Sequence, residues 1–197
     1  GVPGTDAEQN LLTAFHAALG GRAGVYIAFG GRVMFGNDAR KLCTMQLTAF
    51  GNINRPLAGC FAGGRLTWLA EPPVSTGAFR LHDQLDTRVG VLKIVPGLPP
   101  KMLEAFVNAG FRAVILEGYG LGGIPDQESP MNFLPAFQYA KDHGCCLVCT
   151  TQCTYDGVDM DSYEMGVRAQ QLGVEPGGTL TTEALLPKLM IELAEEV

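Results

Sequence analysis

Hydrophobic residues near the start of the chain recur at helical rather than alternating spacing. In AEQNLLTAFHAAL (7–19), Leu11, Leu12, Phe15, Ala18 and Leu19 fall on one face, which predicts an amphipathic helix with that stripe turned to a core. Thr5 or Asp6 is the expected N-cap, Glu8 suits the positive end of the helix, and Gly20-Gly21 stops it. GVYIAFGGRVMFG (24–36) then carries two short β runs around Gly30-Gly31, a hairpin signal. From Lys41 to Arg55 apolar and polar residues mix without a clean period, which reads as a functional loop running into a short strand. GRLTWLAEPPVSTGAF (64–79) reads as a boundary, because Trp68 is followed by Pro72-Pro73 and small polar residues.

Beyond that boundary the pattern becomes regular. VGVLKIV (89–95) reads as a buried strand, and Pro99-Pro100 opens a helix, KMLEAFVNAGF, that Gly110 ends. AVILE (113–117) is a second strand, followed by GYGLGG and the helical NFLPAFQYAKDHG. CCLVCT (145–150) is a third strand, with SYEMGVRAQQLG as the helix after it. A last helix spans 183–196 with Leu186, Leu189, Met190 and Leu193 on one stripe, and Pro187 should distort its first turn. Strand and helix alternating at this spacing mean a parallel sheet with crossover helices, hence an α/β class. The first unit looks incomplete, since one helix and a hairpin cannot cover both faces of a parallel sheet.

Composition narrows the function. Among 197 residues, 47% are hydrophobic and 17% charged, enough to bury a sizeable core. The net charge of −6 argues against nucleic acid or an anionic membrane surface as a partner, since both need clustered Lys and Arg. No apolar run approaches the roughly 20 residues of a membrane span, and GVPGTDAEQN does not read as a signal peptide. Cys146-Leu-Val-Cys149 fits C-x-x-C, but these thiols sit in a strand-like apolar run where Cys145 and Cys146 point to opposite faces. They read as buried thiols of a reducing cytoplasm rather than a redox or zinc site. His16, His82 and His143 share no ligand spacing and His16 reads as a packing residue, so no metal and no cofactor is expected. Gly118-x-Gly120-x-Gly122-Gly123 follows a strand, yet the next helix starts too late for a dinucleotide fingerprint and a tight strand-to-loop turn fits better. Lys41, in FGNDARK, could serve as a proton carrier or be a solvated surface cation; its spacing alone does not decide.

Ordered blocks of this sequence resemble the type I bacterial L-asparaginases. TDAEQNLLTAFHAAL, VYIAFGGRVMFGNDARK and LTAFGNINRPLA look like the middle of that family's chain. EGYGLGGIP is similar to its S-Y-G-x-G-N-x-P turn, TTQCTYDGVDMDSYEMG to its T-Q-C…Y-x-x-G segment, and TLTTEALLPKLM to its M-T-x-E-A-x-x-K-L helix. The resemblance implies an α/β fold with residues 1–67 as the C-terminal part of a flavodoxin-like N-terminal domain, 68–87 as a linker, and 88–197 as a smaller parallel-sheet C-terminal domain. It implies hydrolysis of L-asparagine to L-aspartate and ammonia by a threonine nucleophile and a Thr–Lys–Asp relay. Lys41 matches the relay lysine through the Gly36-Asn37…Lys41 spacing.

The family's T-G-G-T-I segment is absent. Pro3-Gly4-Thr5-Asp6 mimics its H-G-T-D-T segment, but the hairpin and lysine that follow match those after the family's next helix, so Thr5 and Asp6 are not taken as the catalytic pair. The turn Asn of the family is Gly123 here. Tyr163 matches a tyrosine that reaches a neighbouring subunit's active site in relatives, with packing at a helix start as the alternative. A homodimer or homotetramer is therefore expected, with L-asparagine or L-glutamine as substrate, and the isolated chain should be inactive. LGVEPGGTLTTEALLPKLM is also similar to the glutamine-hydrolysing component of an archaeal glutamyl-tRNA amidotransferase. A non-catalytic amino-acid-binding module is a third reading.

Overall fold

The computed structural model describes residues 4–72, 78 and 80–195. The chain divides into two compact units, Gly1–Phe79 and Arg80–Val197.

The first unit opens with α1 (Ala7–Leu19), followed by β1 (Tyr26–Phe29), β2 (Arg32–Phe35), β3 (Ala39–Lys41), β4 (Phe50–Asn52), β5 (Gly59–Ala62) and β6 (Arg65–Trp68). Strands β1-β2-β5-β6 form one antiparallel sheet, and β3-β4 form a separate two-stranded ribbon. The expected hairpin is present: Gly30 and Gly31 take φ of 58° and 72°, the backbone that a twisted two-residue turn requires. Gly63 and Gly64 do the same between β5 and β6 at 57° and 75°. This second hairpin corrects the reading of 64–79 as a boundary alone, because Arg65–Trp68 is a strand. Residues 42–49 form the expected loop running into a short strand, β4, and that strand pairs back on β3, so Lys41 lies at the end of a two-stranded ribbon.

Helix α1 is turned the other way from expectation. Leu11, Leu12, Phe15 and Leu19 are exposed, and its buried residue is Thr13, whose hydroxyl donates to Gln9 O at 2.7 Å. The reason lies in the hairpin. Gly30 N donates to Asn10 Oδ1 at 2.7 Å, and a Cβ at Gly31 would lie 3.0 Å from Gln9 Nε2, so the polar face is drawn in close. His16 stacks on Phe61 with centroids 4.8 Å apart, and Ala17 joins a core of Val33, Phe35 and Ala58. Asp6 sits at the N-cap, but its carboxylate accepts from Asn10 Nδ2 rather than from the helix backbone.

The second unit contains β7 (Val89–Lys93), α2 (Lys101–Asn108), β8 (Ala113–Gly118), α3 (Leu134–Asp142), β9 (Cys146–Thr151), α4 (Glu164–Gln171), β10 (Val174–Pro176) and α5 (Thr182–Glu195). The sheet order is β10-β9-β8-β7 and every pairing is parallel, as the spacing predicts; the short β10 is an addition to the three expected strands. Both faces are covered. Leu92, Val114, Leu116 and Leu147 pack on one side with Leu103 of α2 and Phe137 of α3. Ala113, Ile115 and Val148 pack on the other with Leu185, Leu189 and Leu193 of α5, which runs unbroken through Pro187. A parallel sheet needs this double cover to hide its near-continuous apolar strands.

Asp86 belongs to this second unit. Its N–H donates to Met190 O at 2.8 Å, and Arg112 Nη1 reaches both the Asp86 carboxylate (3.2 Å) and Leu193 O (2.9 Å). Of the segment 68–87 expected as a linker, Pro73, residues 74–77 and residue 79 lie outside the described residues.

Candidate active site

The β3–β4 ribbon positions Lys41. Its register pairs Ala39 with Asn52, Arg40 with Gly51 and Lys41 with Phe50. Lys41 Nζ lies 5.9 Å from the Phe50 ring centroid, close enough for a cation–π contact, and Phe29 packs on that ring at 5.0 Å. The lysine is exposed, and its ammonium makes no hydrogen bond or ion pair within its unit, among the described residues. Beneath it the ribbon is anchored. Asp38 is buried and accepts from Arg55 Nη1 at 3.0 Å, while Arg55 lies 4.3 Å over the Phe35 ring. Burial pushes the Asp38 carboxyl above its ordinary value, against the pull of Arg55.

In the second unit, chemistry-bearing side chains gather where the parallel strands end, the edge at which open α/β sheets bind ligands. Thr182 Oγ1 donates to Glu117 Oε1 at 2.6 Å, and Lys93 Nζ is 3.8 Å from Glu117 Oε2. The Gln152 carboxamide donates to Ile94 O (2.6 Å) and Glu117 O (2.9 Å), tying the ends of three strands together. Sequence reasoning misses Glu117, Gln152 and Thr182; the available signal is their place at the end of β8, just after β9 and at the start of α5. The glycine turn is as tight as expected: Tyr119 N donates to Gly123 O at 2.8 Å, Gly123 N donates to Tyr119 O at 2.7 Å, and α3 begins only at Leu134. A Cβ at Gly118 would lie 3.0 Å from the Gly122 carbonyl carbon, so the turn folds back closely on the end of β8. An open groove of about 570 Å³ at the starts of α2 and α3, lined by Pro99, Pro100, Lys101 and Pro130, includes none of the candidate residues.

Tyr163 sits at the N-cap position of α4 with extended backbone and is 63% exposed. Cys146 and Cys149 lie on opposite faces of β9 and cannot converge. Burial pushes the Cys145 and Cys149 thiols up to about 11 and about 12.

Comparison with known proteins brings the two units under one description. Residues 88–197 match the family profile described as the glutaminase/asparaginase C-terminal domain, and residues 1–74 match the asparaginase N-terminal one. An L-asparaginase of Thermococcus kodakarensis is 38% identical over 189 residues, which cover 95% of this chain and 56% of that protein. The structure of the thermostable L-asparaginase from Thermococcus kodakarensis matches with a TM-score of 0.92 at 37% identity, covering 98% of this chain and 58% of that one. A glutamyl-tRNA(Gln) amidotransferase polypeptide of Pyrococcus furiosus is 28% identical over 198 residues, 95% of this chain and 44% of that protein. The chain thus spans about half the length of these relatives. With both family domains present in order and the C-terminal one alone covering more than half of its residues, the chain belongs to the glutaminase/asparaginase family.

Proposed function

We propose that this chain is part of an L-asparaginase-type amidohydrolase, converting L-asparagine and water to L-aspartate and ammonia. The observation that carries this reading is the joint match of both asparaginase domains, with a TM-score of 0.92 to an L-asparaginase structure. Lys41 is the proton carrier of the reaction. A threonine hydroxyl supplied by residues outside these 197 attacks the side-chain amide carbon, a C–O bond forms, and the hydroxyl proton passes through the lysine to the departing nitrogen. The C–N bond then breaks, ammonia leaves, and water hydrolyses the threonine ester to aspartate. An ammonium that rests on Phe50 and otherwise faces solvent becomes a relay only when a hydroxyl and a carboxylate are brought against it.

The exposed Leu11, Phe15 and Leu19 of α1 support the same reading, since an apolar stripe of this kind is what further protein would cover. Tyr163, exposed at the start of α4, would reach a neighbouring subunit's site in a homodimer or homotetramer. Six free cysteines suit a reducing cytoplasm. The test is ammonia release. The 197-residue chain alone should give none above background from asparagine, and a polypeptide bearing both threonine segments should restore it; turnover by this chain alone contradicts the reading.

A second reading follows from the amidotransferase relatives, in which ammonia would be freed from glutamine for a partner. Ammonia release that requires a charged tRNA and a partner chain favours it, although a net charge of −6 gives no support for direct RNA contact. Saturable asparagine binding in a calorimeter without turnover, even in the completed protein, favours a non-catalytic binding module.

A further inference from the structure

We infer that Asp38 and Arg55 are positioning residues: their ion pair clamps the root of the β3–β4 ribbon to the sheet and so fixes the place of Lys41. This rests on the reading of Lys41 as proton carrier. The geometry is local. Asp38 immediately precedes β3, its N–H donates to Phe35 O at the end of β2 (3.1 Å), and its own carbonyl accepts from Ile53 N just past β4 (2.6 Å). Arg55 closes the loop from the other strand, reaching Asp38 Oδ2 at 3.0 Å while its guanidinium lies over Phe35. Asn52 Nδ2 donates to Arg55 O (3.0 Å) and Pro56 O (2.9 Å), which stiffens the segment that carries the arginine. The ribbon has only two strands of three residues, too short to hold its own register, so its base must be fixed by side chains.

The choice of groups argues for position rather than stability. The carboxylate is buried, Arg55 is exposed, and Arg55 does not fully offset the hydration the carboxylate loses, so stability alone does not account for this pair. What an apolar pair lacks is direction. A guanidinium held on a ring face and bonded to one carboxylate oxygen admits one arrangement of the ribbon, and Lys41 is the third residue along from the clamp.

Asp38→Asn, Arg55→Gln and the double variant test this. In the 197-residue chain, amide exchange at Leu42 and Ile53 should accelerate at least tenfold in either single variant, while the Leu69 amide bonded to Ala58 O stays protected. In the protein completed with a threonine-bearing polypeptide, kcat for asparagine should fall about tenfold at unchanged KM, and the double variant should be no worse than either single one. Unchanged exchange, or additive losses spread over kcat and KM, overturns the clamp. Normal turnover in Asp38→Asn where Lys41→Ala abolishes it overturns the clamp alone; normal turnover in Lys41→Ala overturns the reading of the lysine beneath it.

Discussion

The two units solve the problem of apolar surface differently. The parallel sheet of the second is closed on both sides, by α2 and α3 on one face and α5 on the other, and its strands β8 and β9 are almost wholly buried. The antiparallel sheet of the first meets α1 through Thr13, His16 and Ala17, and leaves Leu11, Phe15 and Leu19 facing out. A unit that hides its own core is limited by packing, whereas one that leaves its best apolar stripe open depends on what it meets. The same contrast holds for polar groups, since Glu117, Thr182 and Gln152 are tied to each other and to strand ends, while Lys41 has only an aromatic ring among the described residues.

The sharpest way to break that comparison is truncation. Leu116→Ala, at a fully buried position of β8, should cost about 2–5 kcal/mol through lost burial and the cavity left behind. Phe15→Ala in α1 should change stability by less than about 0.5 kcal/mol in the 197-residue chain, despite removing the larger side chain. Denaturant unfolding reads both. Trp68, the sole tryptophan, reports the first unit by fluorescence, and circular dichroism at helical wavelengths weights the second, which holds four of the five described helices.

Acid separates the units by sign. Hydrogen bonds from the Arg88 side chain and N–H, then Arg112, hold the Asp86 carboxyl well below the usual carboxylate range. Its stabilisation is therefore complete above the unfolded-state value near 4 and fades as pH falls below it. Asp38 runs the other way: burial raises it, so its contribution is intact at low pH and is lost as pH rises from about 4 through the raised value. Unfolding between pH 3 and 7 should show Asp86→Asn removing an acid-side loss from the second unit and Asp38→Asn removing a pH-dependent cost from the first.

Thiol labelling gives the next contrast. Cys149 is fully buried with its thiol pushed up to about 12, and Cys153, four residues on, is exposed. A maleimide near pH ~8 should modify Cys153 within minutes and leave Cys149 untouched until the second unit unfolds, with peptide masses as the readout. The smallest effect is at the surface. Lys188 and Glu192 pair at i,i+4 on α5 at 2.7 Å, and Lys188→Gln should cost no more than about 0.5 kcal/mol.

These differences explain what is legible in the sequence. The three buried strands of the second unit announce themselves as Val-, Ile- and Leu-rich runs between helices, because a doubly covered strand is apolar along its whole length. β10 does not, since three residues ending in Pro176 carry almost no pattern. In the first unit Gly30-Gly31 is readable as a hairpin, and Gly63-Gly64 carries the same signal but lies near Pro72-Pro73, whose turn chemistry dominates. The buried face of α1 is hidden from the pattern because hydrophobicity alone defines a stripe, whereas Asn10, Thr13 and the close approach of Gly31 set which side meets the hairpin. At the site, Lys41 is reached through resemblance and not spacing, and the Asp38–Arg55 pair is invisible because its partners are joined only by folding.

Under the proposed function, Lys41 is the proton carrier of an amidase whose attacking threonine comes from other residues. Ammonia release from L-asparagine by the completed protein, compared between the natural lysine and Lys41→Ala, tests it most directly. The account predicts a loss of about 10²–10⁴-fold in kcat in folded protein, the scale of a missing acid–base group. Turnover within a factor of about two of the unsubstituted protein, with the same fold by circular dichroism, would contradict it.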